Sequence, residues 1–158
     1  MGYNLAIGQL KTTIESEGLH TRIVNDVEPM RLDEAPAYGE PTDGTNQRWP
    51  SYTVWRNAMD FIGLSDLMYN NEHGLLRSHP GCFPLTKAHK KAIDEARKNF
   101  YKKYPNCKPG YEPGKDIFLT DPDPSWPIQN SYATRLEWLK FWVDWALKNC
   151  SQPVFYNS

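Results

Sequence analysis

The chain has 158 residues, of which 39% are hydrophobic and 13% aromatic, and its formal net charge is −1. That length suits a single domain, 1–158, able to bury most of its surface, and the near-neutral balance argues against a nucleic acid or an anionic membrane held by overall field. There is no signal-peptide succession and no apolar run of bilayer length, and the odd set Cys82, Cys107 and Cys150 cannot form a closed disulfide set within one chain; the expected location is the cytoplasm.

Tyr3, Leu5 and Ile7 alternate with polar or small residues, and after Gly8 the phase shifts to Leu10, Thr12 and Ile14, which predicts a bulge at Gly8. Glu17-Gly18 is a turn signal, and Thr21, Ile23 and Val27 resume the period of two. The expected element is a β-hairpin over 3–28. Because an isolated hairpin is marginal, it must lie on helices, gain another strand or pair with a second subunit. Residues 29–50 carry Pro29, Pro36, Pro41 and Pro50 with Gly39 and Gly44 and show no period, so they read as a long loop packed by Tyr38 and Trp49.

Ser51 is placed to cap a helix over 51–62, with Val54, Trp55, Ala58, Phe61 and Ile62 on its buried side and Gly63 as its stop. Ser65 opens one further turn, and NNEHGLLRSHPGCFP reads as structured loop. Thr86 caps a helix over 87–104 with His89, Ala92, Ile93, Ala96 and Phe100 inward. The Pro-rich stretch that follows offers only Ile117-Phe118-Leu119 as a short strand. The last helix, 131–150, joins an apolar stripe (Leu136, Leu139, Val143, Ala146, Leu147, Cys150) to an aromatic one (Trp138, Phe141, Trp142, Trp145), leaving Glu137, Lys140, Asp144 and Lys148 as a polar seam. Such a helix is expected to be the pillar of the core or part of a subunit interface. The fold class is therefore α+β: an N-terminal β-hairpin packed with three main helices, the Trp-rich one central, under long Pro-rich loops.

Three constellations could carry chemistry. An arginine fork beside aromatic faces, Arg48, Trp49, Tyr52 and Arg56 at a helix start, suits an anionic planar ligand, and Arg135 inside the apolar arc needs either a buried partner such as Asp121 or Asp123 or an anion. His79, Cys82 and His89 are zinc-competent donors, yet no Cys-x2-Cys pair accompanies them. The same Cys82 with His79 as base reads as a nucleophile pair, against the plainer reading of Cys82 as a small buried hydrophobe. Residues 87–108 hold eight basic residues against Asp94 and Glu95; without a nucleic-acid motif this reads as a solvated helix face.

The segments APAYGEPTD at 35–43, RWPSY at 48–52, HPGCFPLT at 79–86 and ATRLEW at 133–138, with the NS terminus, resemble small proteins of unknown function encoded by tailed bacteriophages. The resemblance implies a bacterial host cytoplasm during infection, where accessory proteins bind a host protein or sequester a defence signal. It brings no catalytic residue with it.

The leading expectation is a non-catalytic binding protein for an anionic, nucleotide-derived signal, with Arg48, Trp49, Tyr52, Arg56, Arg77, His79 and Arg135 lining the site. A small hydrolase or transferase using Cys82 and His79, or a His79, Cys82 and His89 metal site, is the alternative. A host-protein inhibitor presenting its aromatic stripe is the third reading. No cofactor is expected, and the apolar excess of the last helix makes a homo-oligomer one expected state.

Overall fold

The computed structural model describes residues 2–17, 20–28, 35, 36, 38, 40, 41, 47–110 and 127–158. Within them the chain runs β1 (Gly2–Glu17), β2 (His20–Glu28), β3 (Glu40–Pro41), β4 (Gln47–Pro50), α1 (Tyr52–Ile62), α2 (Ser65–Tyr69), β5 (Gly81–Pro84), α3 (Lys87–Lys103), α4 (Ile128–Asn149) and β6 (Pro153–Asn157). The architecture is α+β. One sheet has the order β3-β4-β1-β6-β5, and β2 pairs with β1 off that path.

The first strand organises the sheet. Its residues 2–5 pair with β4 and residues 5–9 with β6 on the other edge, while residues 9–17 form the hairpin with β2. The expected bulge at Gly8 is absent, since Gly8 faces Val154 in an unbroken antiparallel register. What changes there is the covered face. Tyr3, Leu5 and Ile7 point into the main core with the helices, whereas Ala6 and Leu10 pack on the reverse side with Val154, Cys82 and Tyr156. An apolar phase shift therefore marks a switch of buried side, with no extra residue in the strand.

The hairpin gains its further strands from two stretches that show no strand pattern in isolation. The tail 153–157 lies antiparallel between β1 and β5, and the range 29–50, read as loop throughout, contains β3 and β4. Strands of two to five residues are too short to display a period; their pairing with a long neighbour creates them. The Ile117 to Leu119 segment lies outside the described residues.

Local signals set the helix ends. Ser51 Oγ accepts from the Val54 N–H at 3.3 Å, and Gly63, at φ 88°, closes α1 in the left-handed conformation that costs glycine nothing. Thr86 and His89 form a capping box on α3. Helix α4 starts at Ile128, a turn before 131, with Pro127 at its N-cap. A proline is tolerated at a helix start because no donor is needed there.

Helix α4 is the pillar. Leu136, Leu139, Val143 and Ala146 are fully buried, and Trp138 joins Trp49 and Trp55 in an indole cluster with centroid separations of 5.5–6.4 Å. Each of the leucine and valine side chains contributes roughly 1.5–3 kcal/mol of burial. Its polar seam is shared with α3: Lys140 bridges Asp94 and Asp144, Lys90 bridges the same two carboxylates, and Arg97 grips Glu137. Phe61, expected inward, is 40% exposed and rims a ring cluster with Phe100, Tyr104 and Tyr132. No helix among the described residues is long and apolar enough to cross a membrane.

Candidate functional site

Pro50 ends β4, and Ser51 turns the chain at φ 66°, a left-handed value unusual for a residue with a Cβ. The turn places Tyr52 first in α1, with Arg56 one helical turn further along the same face. From the other side comes the loop that joins α2 to β5, carrying His79, whose peptide bond to Pro80 is cis. Tyr3 on β1 forms the floor between them, its ring centroid 4.6 Å from Tyr52 and 5.2 Å from His79. Together with Thr53, Tyr69 and Leu76 these residues line a cavity of about 360 Å3.

The polar groups of this cavity are wired in a definite sense. Asn157, fully buried on β6, donates through Nδ2 to the Ser78 carbonyl at 3.1 Å and, more weakly, to the Gly81 carbonyl at 3.5 Å. Its Oδ1 is thereby left as an acceptor, 2.6 Å from His79 Nδ1. The network assigns the proton to Nδ1 and leaves Nε2 bare, so the Tyr52 hydroxyl, 3.1 Å from Nε2, donates to it. Arg56 stacks its guanidinium 4.4 Å above the Tyr69 ring and meets no carboxylate among the described residues. Burial pushes the Tyr69 phenol far above its ordinary range, with Tyr3 adding to the effect and Arg56 opposing it. Tyr69 is therefore a neutral wall.

No family model, curated protein or solved structure matches the chain. The site's chemistry thus rests on its own geometry.

Of the residues expected to converge, Tyr52, Arg56 and His79 do so. Arg135 and Trp49 do not. Both are fully buried behind the cavity, the guanidinium 4.8 Å from the Trp49 ring and 6.0 Å from that of Trp55, with Nη1 donating to the Ser131 carbonyl. Arg135 is thus a core cation with two indole faces and a helix carbonyl among its partners, and Asp121 and Asp123 lie outside the described residues. Arg77 lies 3.7 Å over Phe83 and donates to the Gly74 carbonyl, facing a separate cavity of about 620 Å3. The side chain of Arg48 lies outside the described residues; its backbone pairs with Asn4 and Glu40.

The Cys82 and His79 pair does not form. The histidine nitrogens engage Asn157 and Tyr52, while Cys82 packs on the reverse face of the sheet with Ala6 and Val154. Burial pushes the Cys82 thiol up, the opposite of what a nucleophile requires. Nor do His79, Cys82 and His89 gather as metal ligands: among the described residues no group of three or more such donors does. His89 Nδ1 accepts from the Thr86 N–H at 2.9 Å, capping its own helix. In the aromatic stripe of α4, expected as a docking face, Trp138 and Trp142 are buried, while Phe141 and Trp145 are half-buried and line a second cavity.

Sequence reasoning missed Asn157, Tyr3 and Tyr69. Asn157 bore no signal, because its role exists only once the tail has paired into the sheet. A roomier cavity of about 660 Å3 runs along α4, but Glu137, Lys140 and Asp144 in it are already paired with one another or with α3.

Proposed function

We propose that the protein captures a small anionic ligand, of the kind a nucleotide-derived signal would be, in the cavity between α1 and the His79 loop. The observation that carries this reading is Arg56: a guanidinium at the mouth of a cavity, ring-stacked and without a carboxylate among the described residues. An arginine so held presents its donor fork to a carboxylate or phosphate with little further ordering. A charge-assisted hydrogen bond of this type contributes about 1.5–3 kcal/mol. The Tyr3 and Tyr52 rings supply aromatic faces for a planar group, and the volume sits at the lower end for small-molecule sites.

On this reading the protein acts in the bacterial cytoplasm during infection and withholds the signal from host defence. Two measurements test it. Native mass spectrometry of protein purified from infected and uninfected cells reads any bound anion directly, and calorimetric titration with nucleoside monophosphates and cyclic dinucleotides reads affinity. The expected result is saturable binding weakened at least tenfold, about 1.4 kcal/mol, by Arg56→Met. Binding indifferent to Arg56→Met, or none by any of these anions, removes the reading.

A further inference from the structure

Capture of an anion needs Arg56, but it has no need of a phenol held against a bare imidazole nitrogen that is itself fixed from behind. Tyr52 Oη, His79 Nε2, His79 Nδ1 and Asn157 Oδ1 form one relay, with spacings of 3.1 Å across the first gap and 2.6 Å across the last. A nucleophile within hydrogen-bond reach of a base, the base oriented by a third group, is the constellation that activates a weak oxygen nucleophile. The orienting group is an amide buried in the sheet, so it fixes tautomer and ring direction without adding charge. Among the described residues that line the cavity, Arg56 is the one that carries a fixed charge. One positive charge matches the single negative charge of a phosphodiester.

We propose that the cavity is a phosphodiester-cleaving centre, with Tyr52 as nucleophile, His79 as its general base and Asn157 as the residue that positions His79. The proposal rests on anion capture by Arg56, which lies one helical turn from Tyr52 and holds the phosphate oxygens beside its hydroxyl. In the first step a lone pair of Tyr52 Oη forms a bond to phosphorus as its proton passes to His79 Nε2. The bond from phosphorus to the ester oxygen in line with Tyr52 Oη breaks, and the leaving alkoxide takes a proton from a water, leaving hydroxide, while Nε2 keeps its proton. In the second step the hydroxide oxygen bonds to phosphorus from the side opposite Tyr52. The tyrosyl oxygen leaves and takes back the proton held on His79 Nε2. The net change is diester plus water to monoester plus alcohol, with the three side chains restored.

The test uses the full chain with bis(p-nitrophenyl) phosphate as chromogenic diester and p-nitrophenyl phosphate as the dianionic monoester control. Expected are nitrophenolate release from the diester in preference to the monoester, its loss in Tyr52→Phe, and a fall of about 100-fold or more in His79→Gln. Acid quenching followed by peptide mass spectrometry should find a nitrophenyl phosphoryl ester on Tyr52, a readout independent of how any variant folds. Asn157→Ser should lower kcat and move its pH profile at unchanged KM, which a merely structural role would not do. Diester binding without turnover, or full turnover in a folded Tyr52→Phe, overturns the proposal and leaves capture standing. Absence of both binding and turnover removes capture as well.

Discussion

Asn157 Oδ1 lies 2.6 Å from His79 Nδ1, across 78 residues of sequence, and this one contact decides which histidine nitrogen faces the cavity. Because Asn157 is fully buried and also serves the Ser78 and Gly81 carbonyls, its removal strands three polar groups at once. Asn157→Ala is expected to cost about 1–3 kcal/mol in urea denaturation. In nitrogen NMR spectra the His79 ring should change from one tautomer to a mixture. An unchanged tautomer in a folded variant would show that another group sets the ring.

Arg135 belongs to the core. Arg135→Ala opens a void beside Trp49 and Trp55 and is expected to cost about 3–5 kcal/mol in chemical denaturation. Arg135→Met fills most of that space, and anion affinity at Arg56 should then be unchanged. Affinity lost in a stably folded Arg135→Met would place the ligand in contact with Arg135 after all.

Ser51 combines a favourable cap with an unfavourable backbone angle. Ser51→Ala keeps φ near 66° and loses the bond from the Val54 N–H, a cost of about 1 kcal/mol. Ser51→Gly loses the cap too, but relief of the left-handed strain offsets this, leaving stability within about 1 kcal/mol of wild type. Thermal unfolding should rank Gly above Ala; the reverse order would mean that φ at this position carries no strain.

His89 supplies an acid-sensitive part of the stability. Burial holds its imidazole below the ordinary histidine range, and the nearby His73 adds to the effect. As pH falls through about 6.5 the unfolded chain takes up this proton before the folded one does, so stability present above that pH is progressively lost below it. His89→Gln keeps a capping-box side chain at the same position and should flatten this decline, read as urea midpoints from about pH 8 to about pH 5. Identical slopes in both proteins would exclude His89 as the source.

The amino-acid sequence by itself determined the elements whose causes are local. The Ser51 and Thr86 caps, the Gly63 stop and the apolar wrap of α4 all depend on residues within a few positions of one another, and each is found where the pattern places it. Tyr52 and Arg56 were legible as candidates because tyrosine and arginine near a helix start suit an anion, and His79 because an imidazole in a structured loop suits a base or a metal donor. Tertiary structure alone decided which of them share a cavity. It put Arg135 and Trp49 in the core and outside the cavity lining, because Trp49 faces inward from β4 and its indole, with that of Trp55, lies against the guanidinium. It turned Cys82 to the reverse face, since neighbours along a strand point to opposite sides. And it brought the last strand beside the first, so that Asn157, a residue with no signal of its own, came to fix His79: long-range pairing is encoded in complementary surfaces, and no local period records it.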